Sequence, residues 1–193
     1  LDFTPGPSGA RVIAEIRGRT HAYSLRQSGV HWGLNSLAVV LMLEALAVPV
    51  EVAFEALAEF QPLAGRGEIR QVKGPNGAFT LIDESYNANP LSMRAGFLSL
   101  GQRPVTRGGR RVVVLTDMLE LGDHSRALHE GLAEALISNK INVVHAAGPQ
   151  MRLLYDVLPP SQRGEWRETA AELAAIAGEL VAPDAIVMVK GSN

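Results

Sequence analysis

Between the apolar run Phe79-Thr80-Leu81-Ile82 and Pro90, the chain sets Asp83, Glu84, Ser85, Tyr86, Asn87 and Asn89 almost without interruption. Carboxylates, hydroxyls and amides concentrated after a strand can orient a polar substrate, because loops at the carboxyl ends of parallel strands face the ligand crevice. The same residue types also build a hydrogen-bonded strand-to-helix turn. Two other polar groups follow apolar runs in the same way: Thr116-Asp117-Met118-Leu119-Glu120-Leu121-Gly122 and Lys190-Gly191-Ser192. Lys190 could meet a phosphate or a carboxylate, or end in solvent. His31 and Asn35, four residues apart, would share a face at a helix start. An Asn amide both donates and accepts, which suits an adenine edge, although either residue could equally cap the helix. Arg66 stands between Gly65 and Gly67 and carries a planar fork of donors fit for phosphate oxygens.

Other chemistries find less support. His124 and His129, with Asp117, Glu120 and Asp123 nearby, have the ligand types of a metal site. Their spacing does not bring both histidines to one helix face, so no metal ligand is assigned. Neither a Gly-x-Ser-x-Gly elbow nor a Gly-x-x-x-x-Gly-Lys-Ser/Thr phosphate loop occurs.

The elements that must position these residues fall into two patterns. In the first, Arg11 to Ile16 alternates as a strand with His21 to Leu25 as its partner. Leu34, Leu37, Ala38, Leu41 and Ala45 recur as one helix face, and a second helix runs from about Glu51 to Phe60 until Gln61-Pro62 breaks it. A connection at Gly65-Arg66-Gly67 leads to a hairpin on Gly74-Pro75-Asn76-Gly77, and a domain boundary is expected at residues 76–77. In the second pattern, apolar strands at 112–115, 143–147 and 186–189 alternate with helices at about 92–101, 125–138, 150–157 and 169–181. Pro90 stops the extended segment, and Ser92 is expected to cap the first of these helices, whose core positions are Met93, Phe97 and Leu100. Alternation of this kind predicts an α/β fold: a Rossmann-like unit with a mostly parallel sheet covered on both faces.

Composition sets the outer limits. The chain has 193 residues, 47% hydrophobic and 20% charged, with a formal charge of -2 and no cysteine. That size and balance suit one large or two small globular domains. The near-neutral charge argues against nucleic acid as a partner, and no apolar run reaches membrane-span length, so no membrane insertion is expected. Absence of cysteine removes disulfides and thiolate catalysis and is compatible with a cytoplasmic location.

Taken together, His31-Trp32-Gly33-Leu34-Asn35, Gly65-Arg66-Gly67-Glu68, Asp83 through Pro90 with Ser92-Met93, the Asp117 to Gly122 block and Val189-Lys190-Gly191-Ser192 resemble the MurF group of the Mur ligases. The blocks stand in that group's order and span nearly the whole chain. The resemblance implies an ATP- and Mg2+-dependent ligase that adds D-alanyl-D-alanine to UDP-N-acetylmuramoyl-tripeptide by way of an acyl phosphate, acting as a cytoplasmic monomer. Residues 1–76 would be the end of its central ATP-binding domain and 77–193 its Rossmann-like C-terminal domain. In that frame Asn35, with His31 beside it, contacts adenine, Arg66 reaches the ATP phosphates as a catalytic group, and Asp83 or Glu84 meets the ribose. Asn87, Asn89 and Lys190 fall on the substrate side. Trp32 stands where the group usually has Asn, Glu84 where a second Asp is usual, and Thr116 where Gly is common. The group's phosphate loop, magnesium ligands and modified lysine would precede Leu1, and the fragment alone is expected to be inactive. A relative with another amino-acid substrate and a non-catalytic Rossmann-like binding module are the alternative readings.

Overall fold

The structure is a computed structural model and describes residues 1–6, 9–27, 29–61, 63–106 and 108–192. Pro62, part of the expected helix break, lies outside the described residues. The chain divides into two compact units, Leu1–Leu63 and Ala64–Asn193. Among the described residues no helix is long and apolar enough to cross a membrane.

The first unit opens with an antiparallel sheet of β1 (Asp2–Gly6), β2 (Gly9–Ile16) and β3 (Arg19–Leu25). Arg17 and Gly18 both take positive φ, 49° and 76°, which makes the tight reversal whose twist matches the strands it joins. Two helices follow, α1 (Val30–Ala45) and α2 (Val50–Glu59). Val12, Ala14, Ile16, Tyr23, Leu25, Val40 and Ala53 form the buried core. Tyr23 stacks on Phe54 with ring centroids 4.8 Å apart and places its hydroxyl 2.9 Å from Ser36 Oγ. Only part of the expected helix face is buried: Leu37 packs against the core. Gly33, Ser36 and Val40 face inward, whereas Leu34 is 57% and Leu41 44% exposed. Apolar residues occupy most of the helix circumference, so periodicity alone cannot select a face.

The second unit is built on a six-stranded sheet of order β4-β5-β9-β6-β7-β8. Its strands are β4 (Glu68–Gly74), β5 (Gly77–Glu84), β6 (Arg111–Thr116), β7 (Val143–Ala147), β8 (Arg163–Arg167) and β9 (Ile186–Lys190). The β4–β5 hairpin is antiparallel and every other pairing is parallel. Because β4 pairs along β5, the whole hairpin belongs to this unit. The division between units therefore falls at Leu63/Ala64 rather than at the expected 76–77.

Among the described residues the unit also holds the α-helices α3 (Pro90–Gln102), α4 (Ser125–Glu130), α5 (Ala133–Ser138), α6 (Pro149–Val157), α7 (Ala170–Ala175) and α8 (Ala177–Leu180). Two expected helices are each broken in two, at Gly131–Leu132 and at Ile176. The main core joins Met93, Phe97 and Leu100 of α3 to Val113, Leu115, Val144 and Met188 of the sheet, to Leu136 and Leu154 of the helices beyond and to Leu132 between α4 and α5. On the opposite face Val112, Val187 and Ala185 are buried, with Phe79, Leu81 and Val181 packed on them. Asn89, not Ser92, caps α3. Asn89 Oδ1 accepts from the Ser92 amide at 2.8 Å, and Ser92 Oγ accepts from the Asn89 amide at 3.0 Å, with Pro90 as the first helical residue.

Candidate functional site

In the strand order β5-β9-β6, the three polar segments singled out by type and spacing emerge side by side at the carboxyl end of the sheet. Ser192, just past β9, stitches them together. Its amide donates to the Asp117 carbonyl at 3.2 Å, and its hydroxyl accepts from the Leu119 amide at 3.3 Å. The single hydroxyl proton is then shared between Asn87 Oδ1, 3.0 Å away, and the Ala88 carbonyl at 3.2 Å. A cavity of about 560 Å³ opens here, lined by Tyr86, Asn87, Ala88, Asn89, Leu119, Glu120, Leu121 and Ser192. Volumes of a few hundred Å³ with a few placed polar groups suit small polar ligands.

The two amides already have work for their oxygens. Asn87 Oδ1 takes the Ala88 amide at 2.7 Å besides the Ser192 hydroxyl, and Asn89 Oδ1 holds the α3 cap. What each has left for a ligand is the Nδ2 donor pair. Glu120 adds a carboxylate to the wall from a backbone at φ 61°, which side chains other than Gly rarely adopt. Tyr86 and Leu119 are exposed at the rim.

The Asp117 to Gly122 loop is held from behind. Asp117 caps α6, and buried His129 fixes Met118. Since the Met118 amide can only donate, His129 Nε2 accepts at 3.0 Å, leaving the ring proton on Nδ1 to donate to the Ser125 carbonyl at 2.8 Å. Asp117 and His129, two of the residues considered as metal ligands, are thus spent on the fold. Among the described residues no group of three or more His, Asp or Glu is placed to hold a metal ion.

Arg66 lies beside the same β5 exit. The Tyr86 amide donates to the Gly65 carbonyl at 3.0 Å and the Gly67 amide to the Asp83 carbonyl at 2.7 Å, which lays the Arg66 guanidinium 3.8 Å from the Tyr86 ring centroid. Gly65, at φ 72°, is required there: a Cβ would stand 2.8 Å from the Tyr86 nitrogen. Arg66 Nε is buried without a hydrogen-bond partner among the described residues. Asp83 and Glu84 leave the strand on opposite faces, as consecutive residues must. Asp83 accepts from Ser85 Oγ at 2.6 Å and lies 3.5 Å from Arg70, whereas Glu84 lies against Lys190.

His31 and Asn35 are in the other unit, near the start of α1. Asn35 and Trp32 line a cavity of about 320 Å³ with Leu25, Val39, Leu43 and Phe60, a mostly apolar setting for a flat ring. Trp32 Nε1 is buried there without a partner among the described residues, and the His31 ring lies 5.5 Å from that of Trp32. Sequence reasoning singled out the Asn87, Asn89 and Lys190 positions but assigned no role to Ser192 and Glu120. Both lie within the polar blocks, and only their contacts distinguish them.

Residues 65–193 match the family model described as Mur ligase, glutamate ligase domain. The chain belongs to the Mur ligase family. It is 28% identical over 163 residues, 84% of its length, to the UDP-N-acetylmuramoyl-tripeptide--D-alanyl-D-alanine ligase of Rickettsia prowazekii. A MurF crystal structure from Acinetobacter baumannii superposes over the whole chain with a TM-score of 0.80 and 26% identity. The Thermotoga maritima MurF ligase, solved in complex with ADP, shares the fold with a TM-score of 0.81 at 21% identity over 99% of the chain. The chain spans 35% of the length of the Rickettsia ligase, 41% of the Acinetobacter chain and 42% of the Thermotoga chain. Within the Mur ligases it is this MurF group that the chain resembles.

Proposed function

We propose that this chain is part of an ATP-dependent MurF-type ligase that joins D-alanyl-D-alanine to UDP-N-acetylmuramoyl-tripeptide. The first unit is then the end of the central ATP-binding domain, and the second the domain that receives the amine. One observation carries the reading: the loops after β5, β6 and β9 converge on one cavity whose polar groups are amide donors and a carboxylate. A dipeptide zwitterion has the complementary groups. Its carboxylate takes the Asn87 and Asn89 Nδ2 donors, its ammonium faces Glu120, and its small methyl groups lie against Leu119 and Tyr86. The amine must shed a proton before it can attack, and Glu120 is the carboxylate nearest to that task.

Amide formation also needs a leaving group better than oxide. ATP, when bound, supplies it by converting the tripeptide carboxylate to an acyl phosphate, from which the amine displaces phosphate. Within the second unit Arg66 is offered to the ATP phosphates and Asp83 to the ribose; within the first, the mostly apolar Trp32–Asn35 cavity suits a base. Glu84 is engaged by Lys190, which leaves Asp83 as the carboxylate for the ribose. No residue here is assigned to magnesium.

The test is isotopic. UDP-N-acetylmuramoyl-tripeptide labelled with 18O in its terminal carboxylate, given to the full-length ligase with ATP and D-alanyl-D-alanine, is expected to transfer one label to the released phosphate. Unlabelled phosphate would contradict the acyl phosphate. Turnover with single amino acids but not with D-alanyl-D-alanine would contradict the substrate.

A further inference from the structure

Lys190, the last residue of β9, is only 3% exposed. Its stem passes α3 where Gly96 has no side chain, since a Cβ there would lie 3.6 Å from Lys190 Cδ. The ammonium reaches Glu84 Oε2 at 3.4 Å and the Asn87 carbonyl at 3.2 Å, both on the segment that leaves β5. Glu84 is itself enclosed, with 18% of its side chain exposed. Glu84 and Lys190 are register partners of the parallel β5–β9 pair, so both side chains rise on the same face of the sheet. A buried ion pair is tolerated as a pair, and removal of one member strands the other charge.

The geometry points to Lys190 as a positioning residue that acts through Glu84 and the Asn87 carbonyl. It fixes the backbone of Asn87 while Ser192, two residues on, fixes the Asn87 side-chain oxygen. Together they leave only Nδ2 of Asn87 to meet a ligand. A lysine that bound substrate directly would bring its ammonium to the cavity wall. Lys190 is not among the lining residues, and its charge is already answered. The inference rests on the cavity being the amine-acceptor site proposed above.

The test uses Lys190→Met, Glu84→Gln and the double variant, in this chain and in the full-length ligase. In the chain, Lys190→Met is expected to speed amide hydrogen exchange at Tyr86 and Ala88 about tenfold relative to Val144 in β7, and the double variant to restore most of it. In the ligase, Lys190→Met should raise KM for D-alanyl-D-alanine about tenfold with KM for ATP unchanged, and adding Glu84→Gln should bring it back within about threefold of wild type. A double variant whose loop exchange is restored while its KM for D-alanyl-D-alanine stays as high as in Lys190→Met means that the lysine touches substrate itself, and overturns the inference. So does unchanged loop exchange in Lys190→Met. If Lys190→Met does not fold, Glu84→Gln alone decides: faster exchange at Ala88 supports the tie, and no change refutes it. A normal exchange response with no effect on dipeptide kinetics would instead count against the amine-acceptor reading and leave the tie standing.

Discussion

Asp117 Oδ1 lies 2.7 Å from the backbone nitrogen of Met151, and Oδ2 lies 3.2 Å from that of Gln150, so one carboxylate caps the start of α6. A negative charge at a helix N-terminus satisfies orphan amides and complements the helix dipole. Gly148, at φ 111°, makes room, because a Cβ there would overlap the carboxylate. Asp117→Ala is expected to destabilise the second unit by about 1–3 kcal/mol. Urea unfolding followed by circular dichroism measures this, and an unchanged midpoint would count against the cap.

Asn89 closes the capping box of α3 and lines the cavity, where its Nδ2 is the donor proposed for the ligand. Asn89→Ala should cost about 1 kcal/mol of stability. Asn89→Ser, which keeps an acceptor for the Ser92 amide, should cost only a few tenths of that while still removing the Nδ2 donor. Thermal unfolding of the two variants separates capping from ligand contact.

Arg66 is expected to act on phosphate oxygens from beside Tyr86. Arg66→Ala in the full-length ligase should lower the rate by about tenfold or more, since a charge-assisted hydrogen bond is worth about 1.5–3 kcal/mol. Arg66→Lys keeps the charge without the fork and should recover only part of the loss. Steady-state kinetics at varied ATP checks both.

His145 sits in β7 with its Nδ1 accepting from the Glu165 amide at 3.0 Å. Burial lowers its pKa below the usual histidine value, although the Leu180 backbone and Glu165 pull the other way. A depressed histidine binds fewer protons folded than unfolded, so its contribution is full above the unfolded pKa of about 6.5 and is lost as pH falls through the lower folded value. The melting temperature should therefore drop between neutral and mildly acidic pH, and His145→Gln should flatten that slope. Parallel slopes for both proteins would refute the assignment.

The central strands β5, β6, β7 and β9 were legible because each is an apolar run rich in branched residues and bounded by polar loops. Two of the edge strands, β1 and β8, were not. β8, Arg-Gly-Glu-Trp-Arg, is a charged edge strand with no apolar face to advertise, and β1 carries Pro5, which reads as loop. The split of the expected 125–138 helix turns on Gly131, whose Cβ would approach the Ala127 carbonyl to 2.9 Å, a contact that periodicity does not contain. Within the site, residue types identified the three loops, but partners 106 residues apart decide what each group is free to do. Lys190 reads as a solvated strand end until Glu84 is placed opposite it.

The most direct test is the kinetic split of Asn87→Ala in the full-length ligase. The proposed site gives Asn87 one free function, donation from Nδ2 to the dipeptide carboxylate, worth about 1.5–3 kcal/mol for a charged acceptor. KM for D-alanyl-D-alanine should rise about tenfold or more with KM for ATP nearly unchanged, while loss of the Oδ1 bonds to the Ala88 amide and the Ser192 hydroxyl should lower stability by only about 1 kcal/mol. A variant that weakens ATP alone, or leaves both constants at their wild-type values, would contradict the assignment of this cavity to the amine acceptor.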